Sequence, residues 1–269
     1  MMNIYVADAF TSQPYTGNPA GVMVLDQPMP ETWMQSIASE MNLSETAFLV
    51  PIEKDYELRW FTPASEVDLC GHATLASAHI LWEQGYSQAE VLRFHTKSGI
   101  LTAARQKDGW IAMDFPQEVE SSCPAPQALA EGLGAEYVYV GRNRMDYLVE
   151  VASEDILQQL APDFGKWKSL DARGIIVTSS CQREGMDFVS RCFYPAVGVN
   201  EDPVTGSAHC ALAPYWSQRL GKNELAAEQI SKRTGVLRLR IHPGRVEIIG
   251  QAVTTLKAVL EAEKHFRKV

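Results

Sequence analysis

No run of apolar residues in this chain reaches the roughly 20 that a bilayer-spanning helix needs, so a membrane partner is not expected. Positive charge is in deficit. Lys and Arg number 24 against 33 Asp and Glu, leaving a formal charge of −9. A nucleic-acid binder needs a basic footprint, so nucleic acid is not expected either. There is no Cys-x-x-Cys pair: Cys70, Cys123, Cys181, Cys192 and Cys210 are odd in number and widely scattered. That pattern fits reduced thiols in a cytoplasmic protein better than a disulfide framework or a zinc ribbon. No Gly-x-Gly-x-x-Gly and no phosphate-loop lysine motif is present, so no nucleotide cofactor has a sequence warrant. His-Glu-x-x-His is also missing and no histidine pair has ligand spacing, so no metal is expected. The first ten residues, MMNIYVADAF, lack a basic stretch followed by an apolar one, which argues against a secretory leader.

What is present is globular composition, 46% hydrophobic and 21% charged, over 269 residues, enough for one large domain or two ordinary ones. NIYVADAF, AGVMVL, ETAFLV and YELRWF alternate or run apolar as strands do. Asn18-Pro19-Ala20-Gly21 reads as turn chemistry. PETWMQSIASEM sets Trp33, Ile37 and Met41 at helical spacing behind Pro30. The stretch from Gly71 to Gln84 is apolar nearly all round, which predicts a helix buried on every side. VLRFHT, GILTAARQ and WIAMDF follow as strands. PQEVESSCPAPQALA, with three prolines, marks a boundary and divides the chain into halves 1–115 and 116–269, with the last strands free to return to the first. The second half reads YVYVG, DYLVEV, a helix near 153–160, GIIVTS, MDFVSRCF, a helix after Gly206, and the strands VLRLRIH, RVEIIG and QAVTTLKAVL.

The halves resemble each other. RWFTPASEVDLCGHATLASA lies on RCFYPAVGVNEDPVTGSAHCALA, with Arg59 on Arg191, Phe61 on Phe193, Pro63 on Pro195 and Ala64 on Ala196. After a three-residue insertion Gly71 meets Gly206 and Ala73 meets Ala208. Each copy puts a glycine, a polar residue and alanine at the mouth of an apolar helix. The first N–H groups of a helix have no internal partner and carry its positive dipole end. Such an end binds carboxylate or phosphate, and glycine lets the anion come close. Two of them would grip an anionic substrate from both sides. Glu45 interrupts the apolar run LSETAFLV. A carboxylate held among apolar groups titrates nearer neutrality, as a general acid/base requires. Asp202 either caps its loop or orients a histidine. His72 lies inside its turn, whereas His79 and His209 sit on helix faces as packing residues. Ser207 and His209 are two apart on one helix and do not face each other, which counts against a hydrolase built on them with Asp202.

DAFTSQPYTGNPAGV, LSETAFLV, FTPASEVDLCGHAT and EDPVTGSA, in that order, resemble the PhzF-like family, named for the phenazine-biosynthesis isomerase and similar in fold to diaminopimelate epimerase and proline racemase. The resemblance implies an α+β, diaminopimelate epimerase-like fold of two pseudo-symmetric domains, each wrapping a curved, mostly antiparallel sheet around a central helix. It implies a cofactor-independent isomerase acting on a small carboxylate in an interdomain cleft, and a homodimer would be ordinary for it. Carried over, Glu45 is the acid/base, and His72 and Asp202 are polar residues of the site. Asn18 and the turns Gly71-His72-Ala73 and Gly206-Ser207 belong to substrate binding. The epimerase relatives place one cysteine before each turn. Here Cys70 holds the first place and Thr205 the second, and a hydroxyl is far too weak an acid to replace a thiol as base. Two-thiol epimerisation of an amino acid is therefore the second reading, and a small-acid-binding protein that has lost its chemistry the third.

Overall fold

The structure, a computed structural model, describes residues 2–261. The chain divides into two compact units. One comprises the residues up to Asp114 with those from Ile249 onward; the other is Phe115–Ile248.

The first unit begins with strands β1 (Met2–Ala9) and β2 (Asn18–Val24), helix α1 (Glu31–Met41), then β3 (Glu45–Ile52), β4 (Asp55–Phe61) and the short β5 (Glu66–Val67). Helix α2 (Gly71–Glu83) follows, then β6 (Val91–Thr96), β7 (Gly99–Arg105) and β8 (Ile111–Pro116). The second unit contains β9 (Ser121–Ser122), α3 (Gln127–Leu133), β10 (Tyr139–Arg142), β11 (Asp146–Glu150), α4 (Glu154–Gln159), α5 (Phe164–Trp167) and β12 (Gly174–Ser180). It continues with β13 (Phe188–Tyr194), β14 (Val199–Asp202), α6 (Gly206–Leu220), β15 (Glu224–Gln229), β16 (Gly235–His242) and β17 (Arg245–Gly250). Strand β18 (Ala252–Leu260) pairs along the whole of β1, which ties the last strand to the first unit.

The pairing pattern is the same in both units. In the first, β1–β2 is antiparallel, β2–β3 parallel, β3–β4 antiparallel, β4–β6 parallel and β6–β7 antiparallel. In the second, β10–β11, β11–β12, β12–β13, β13–β15 and β15–β16 repeat that sequence of directions. Helices fall in matching gaps, α2 after β5 and α6 after β14. The sequence repeat is thus a structural repeat, and its best-preserved piece is an ion pair. Arg59 grips Glu66 at 2.7 Å through Nε and lies 5.2 Å over the Phe61 ring; Arg191 grips Glu201 at 2.7 Å and lies 5.1 Å over Phe193. Both glutamates stand five residues before the helix-opening glycine. Each bidentate pair clamps the loop that delivers that helix.

The central helices explain why their sequences are apolar all round. In α2, every residue from His72 to Ala78 is buried, and the helix packs on β1, β2, β3, β7 and β18. Buried Thr74 and Ser77 turn their hydroxyls onto the carbonyls of Cys70 and Ala73, which satisfies them without leaving the helix. In α6, Pro214 deprives the Cys210 carbonyl of its helical donor, and the Glu118 N–H supplies a replacement at 3.0 Å. Outside the sheets, α1 packs Trp33 and Met34 on Met23, Phe48 and Phe61. In the second unit α3, α4 and α5 pack Leu133, Leu157 and Trp167 on Val149, Val177 and Phe193.

One local reading differs from the structure, and one segment departs from its propensity. Asn18-Pro19-Ala20-Gly21 is not a turn but the start of β2. Pairing with β3 begins only at Ala20, so at Pro19 the strand has one partner, and a residue without an N–H is tolerated there. Glu224–Gln229, whose Leu, Ala and Glu content favours helix, is strand β15; parallel pairing with β13 and antiparallel pairing with β16 override propensity.

Candidate active site

In the first unit the fold brings Asn18, Glu45, Cys70 and His72 together. Asn18 opens β2 and Glu45 opens β3; the strands are parallel neighbours with Ala20 opposite Glu45, so both side chains lie at the same strand ends. The first turn of α2, which packs on β2, sets His72 between them. Asn18 Nδ2 donates to His72 Nδ1 at 3.3 Å, and Cys70 Sγ lies 3.5 Å from the same nitrogen. With Nδ1 accepting, the imidazole proton sits on Nε2. Nε2 lies 3.2 Å from a Glu45 carboxylate oxygen, in contact but not aligned as a hydrogen bond. Burial holds the His72 pKa at about 3, so the ring is neutral and the contact is polar rather than ionic. The surroundings of Glu45 are therefore not the apolar ones its sequence neighbours suggest. At the first position of a strand the nearest groups come from the adjoining helix, and its side chain keeps 18% exposure.

The Cys70 side chain does not cap the start of helix α2; the residue holds the N-cap position with an extended backbone. The N–H groups of Gly71, His72 and Ala73 point out of the first turn, with the first intrahelical bond made by Thr74 N–H to the Cys70 carbonyl.

The second unit repeats this. Thr205 is the N-cap of α6, with backbone angles of −114° and 101° against −145° and 107° for Cys70, and it too makes no capping bond. Its hydroxyl is occupied elsewhere, donating to Asp202 Oδ2 in a short hydrogen bond. Buried Gln229 fixes the loop: its Oε1 accepts from Thr205 N–H at 2.8 Å and its Nε2 donates to the Asp202 carbonyl at 2.7 Å. Nothing in the sequence singles out Gln229, because its role exists only once β15 lies beside the 202–205 loop. Asp202, Gly206, Ser207 and Ala208 thus share one loop and helix end, while His209 Nδ1 donates to the Thr205 carbonyl at 2.8 Å. As the sequence suggests, His209 is a packing residue; it is fully buried, stacked at 6.1 Å on Phe188.

These histidines predict an acid instability. Burial depresses His72 to about 3 and His209 to about 4, whereas the unfolded chain binds a proton on each near 6.5. As the pH falls below 6.5 the unfolded state takes up protons that the folded state refuses, so stability falls. The loss approaches about 1.4 kcal/mol per pH unit for each histidine and levels off near the folded pKa values. Urea unfolding between pH 7 and 4 should show this slope, and His209→Asn should flatten it. Imidazole resonances of both residues titrating near 6.5 in the folded protein would contradict the account.

Among the described residues, one group of side chains has the spacing to hold a metal ion: Glu45, Cys70 and His72, whose ligand atoms all lie within 4.8 Å of one another. Also among the described residues, no helix is long and apolar enough to cross a membrane.

The comparisons agree with this architecture. The family described as phenazine biosynthesis-like protein matches residues 7–258. An uncharacterized isomerase of Halalkalibacterium halodurans is 57% identical, the alignment covering 96% of this chain and 97% of that one. A crystal structure of a PhzF-family phenazine biosynthesis protein from Enterococcus faecalis superposes with a TM-score of 0.92 at 42% identity, covering 96% and 99% of the two chains. A probable proline racemase from Agrobacterium radiobacter shares the fold alone, with a TM-score of 0.66 at 10% identity over 99% and 95%. With four motifs in order, a duplicated epimerase-like fold and these relatives, the chain belongs to the phenazine biosynthesis-like (PhzF) family and is an isomerase.

Proposed function

We propose that this isomerase moves a proton on a small carboxylate-bearing substrate without a cofactor, with Glu45 as general acid/base. The observation that carries the reading is the Glu45 carboxylate, 3.2 Å from the buried neutral His72 at the uncapped end of α2. A carboxylate can take a carbon-bound proton and return it. Neutral His72 can donate from Nε2 to Glu45, or to an oxygen of the substrate, without adding a competing positive charge. The N–H groups at Gly71–Ala73 and Gly206–Ala208 would hold the carboxylate and stabilise enolate-like charge as the proton leaves, and Asp202 would line the same site. Each charge-assisted bond of this kind contributes roughly 1.5–3 kcal/mol, so several backbone donors suffice without an arginine clamp.

The test is a library of small unsaturated and hydroxylated carboxylic acids incubated with the protein in deuterated water. Incorporation of deuterium at carbon reports proton transfer even where product equals substrate. Absence of exchange across the library, with tight acid binding, would favour a binding protein instead.

Thr205 bears on the cysteine reading. Its hydroxyl is committed to Asp202, and a hydroxyl is far too weak an acid to take the part of a second thiol. Cys70→Ala should therefore keep most of the exchange activity. Complete loss in a folded, ligand-binding Cys70→Ala variant would restore a thiol mechanism.

A further inference from the structure

We propose that Glu45, Cys70 and His72 form a binding site for a single borderline-soft divalent cation, Zn2+ fitting best, and that the bound ion switches the enzyme off. The binding claim stands on geometry alone; the inhibitory consequence rests on the acid/base role proposed for Glu45.

The three ligand atoms, one per residue, lie within 4.8 Å of one another, and the carboxylate oxygen is already 3.2 Å from His72 Nε2. A tetrahedral zinc with bonds of about 2.0–2.3 Å spaces its ligands at roughly 3–4 Å, so small side-chain rotations close the set. The residues are held on regular structure. Cys70 and His72 flank Gly71 in the first turn of α2, and Glu45 opens β3. Thiolate, imidazole and carboxylate are a zinc-type donor mixture; Mg2+ and Ca2+ want oxygen alone. Three protein ligands leave a fourth position for water. The helix end disfavours a cation, but a thiolate and a carboxylate bring two negative charges against its half charge. Binding releases the thiol proton to solvent. Coordination through Nε2 moves the ring hydrogen to Nδ1, where Asn18, now 3.3 Å away through its amide nitrogen, serves as acceptor once its amide turns to present Oδ1. At the matching turn of the second unit Thr205 replaces the cysteine and bonds Asp202, so this donor set is not repeated there.

The experiment titrates chelator-stripped protein with Co2+ and then with Zn2+. The expected result is saturation at one equivalent, with a thiolate-to-cobalt charge-transfer absorption that Zn2+ abolishes. Cys70→Ala should lose the absorption and bind Zn2+ at least about 100-fold more weakly, beyond the 10–100-fold that an outer-sphere partner usually costs. Cys70→Ser, closer in shape, guards against a folding defect, with circular dichroism as the check on both. Cys181→Ala, which removes the thiol beside Glu154, should change nothing. Persistence of the absorption in folded Cys70→Ala, its loss in Cys181→Ala, or no saturable binding would overturn the site. One equivalent of Zn2+ bound through Cys70 with undiminished substrate deuterium exchange would keep the site and overturn the inhibition.

Discussion

Glu45→Gln should fold, bind small carboxylates and lose activity by about two to four orders of magnitude, the usual worth of general acid–base catalysis. The amide keeps the size and most of the contacts of the carboxylate but cannot accept a proton from carbon. Glu45 opens β3 with little freedom to shift, because Thr46 behind it is fully buried and the strand is paired on both sides. His72 is a poor substitute. His72 Nδ1 is engaged by Asn18, and burial keeps the ring from holding a proton above about pH 3. Measured as deuterium incorporation into whichever acid the library identifies, near-normal turnover by a folded Glu45→Gln protein would sink the assignment. Loss of acid binding together with activity would show instead that Glu45 holds the substrate.

The largest expected effect on stability lies in the second unit, at Arg173. Asp146, the first residue of β11, is 1% exposed, and its carboxylate takes a two-pronged grip from Arg173, with Nε to Oδ1 at 3.0 Å. The register explains the meeting: Asp146 pairs with Gly174, so the residue preceding β12 arrives beside it. The guanidinium also lies 5.1 Å over the buried Tyr194 ring. Burial alone would weaken the charge on Arg173, but Asp146 outweighs it and holds the arginine above its ordinary pKa. Arg173→Met keeps much of the stem and removes the charge, leaving a carboxylate buried without its counter-ion. Such broken pairs cost about 3–5 kcal/mol, whereas water screens exposed pairs such as Lys166 with Glu131. Urea unfolding at neutral pH measures it, with Lys166→Met as the comparison. The double variant Asp146→Leu with Arg173→Met should recover part of the loss, since it leaves no charge stranded. A cost for Arg173→Met no greater than that for Lys166→Met would refute the argument.

Periodicity sufficed for α1 and for most strands, because an apolar face must match the period of its element, and a long stretch apolar on all sides marked α2 as buried. The glycine-opened turns were legible in each half, and so was the repeat that relates them. Motif order carried the family and, through it, Glu45, His72 and Asp202. Other features were decided only in three dimensions. Asn18, Glu45 and His72 stand 27 residues or more apart in the chain, and nothing local says that parallel β2 and β3 end beside the first turn of α2. Glu66 and Glu201 read as ordinary charges until each is seen clamping an arginine of the preceding strand. Gln229 sits in a segment whose composition favours helix, and only its two strand neighbours make it β15 and bring its amide to the Asp202 loop. The Glu45–Cys70–His72 donor set likewise has no motif. A linear pattern records the neighbours that the chain itself supplies, whereas ligand geometry depends on neighbours supplied by other elements.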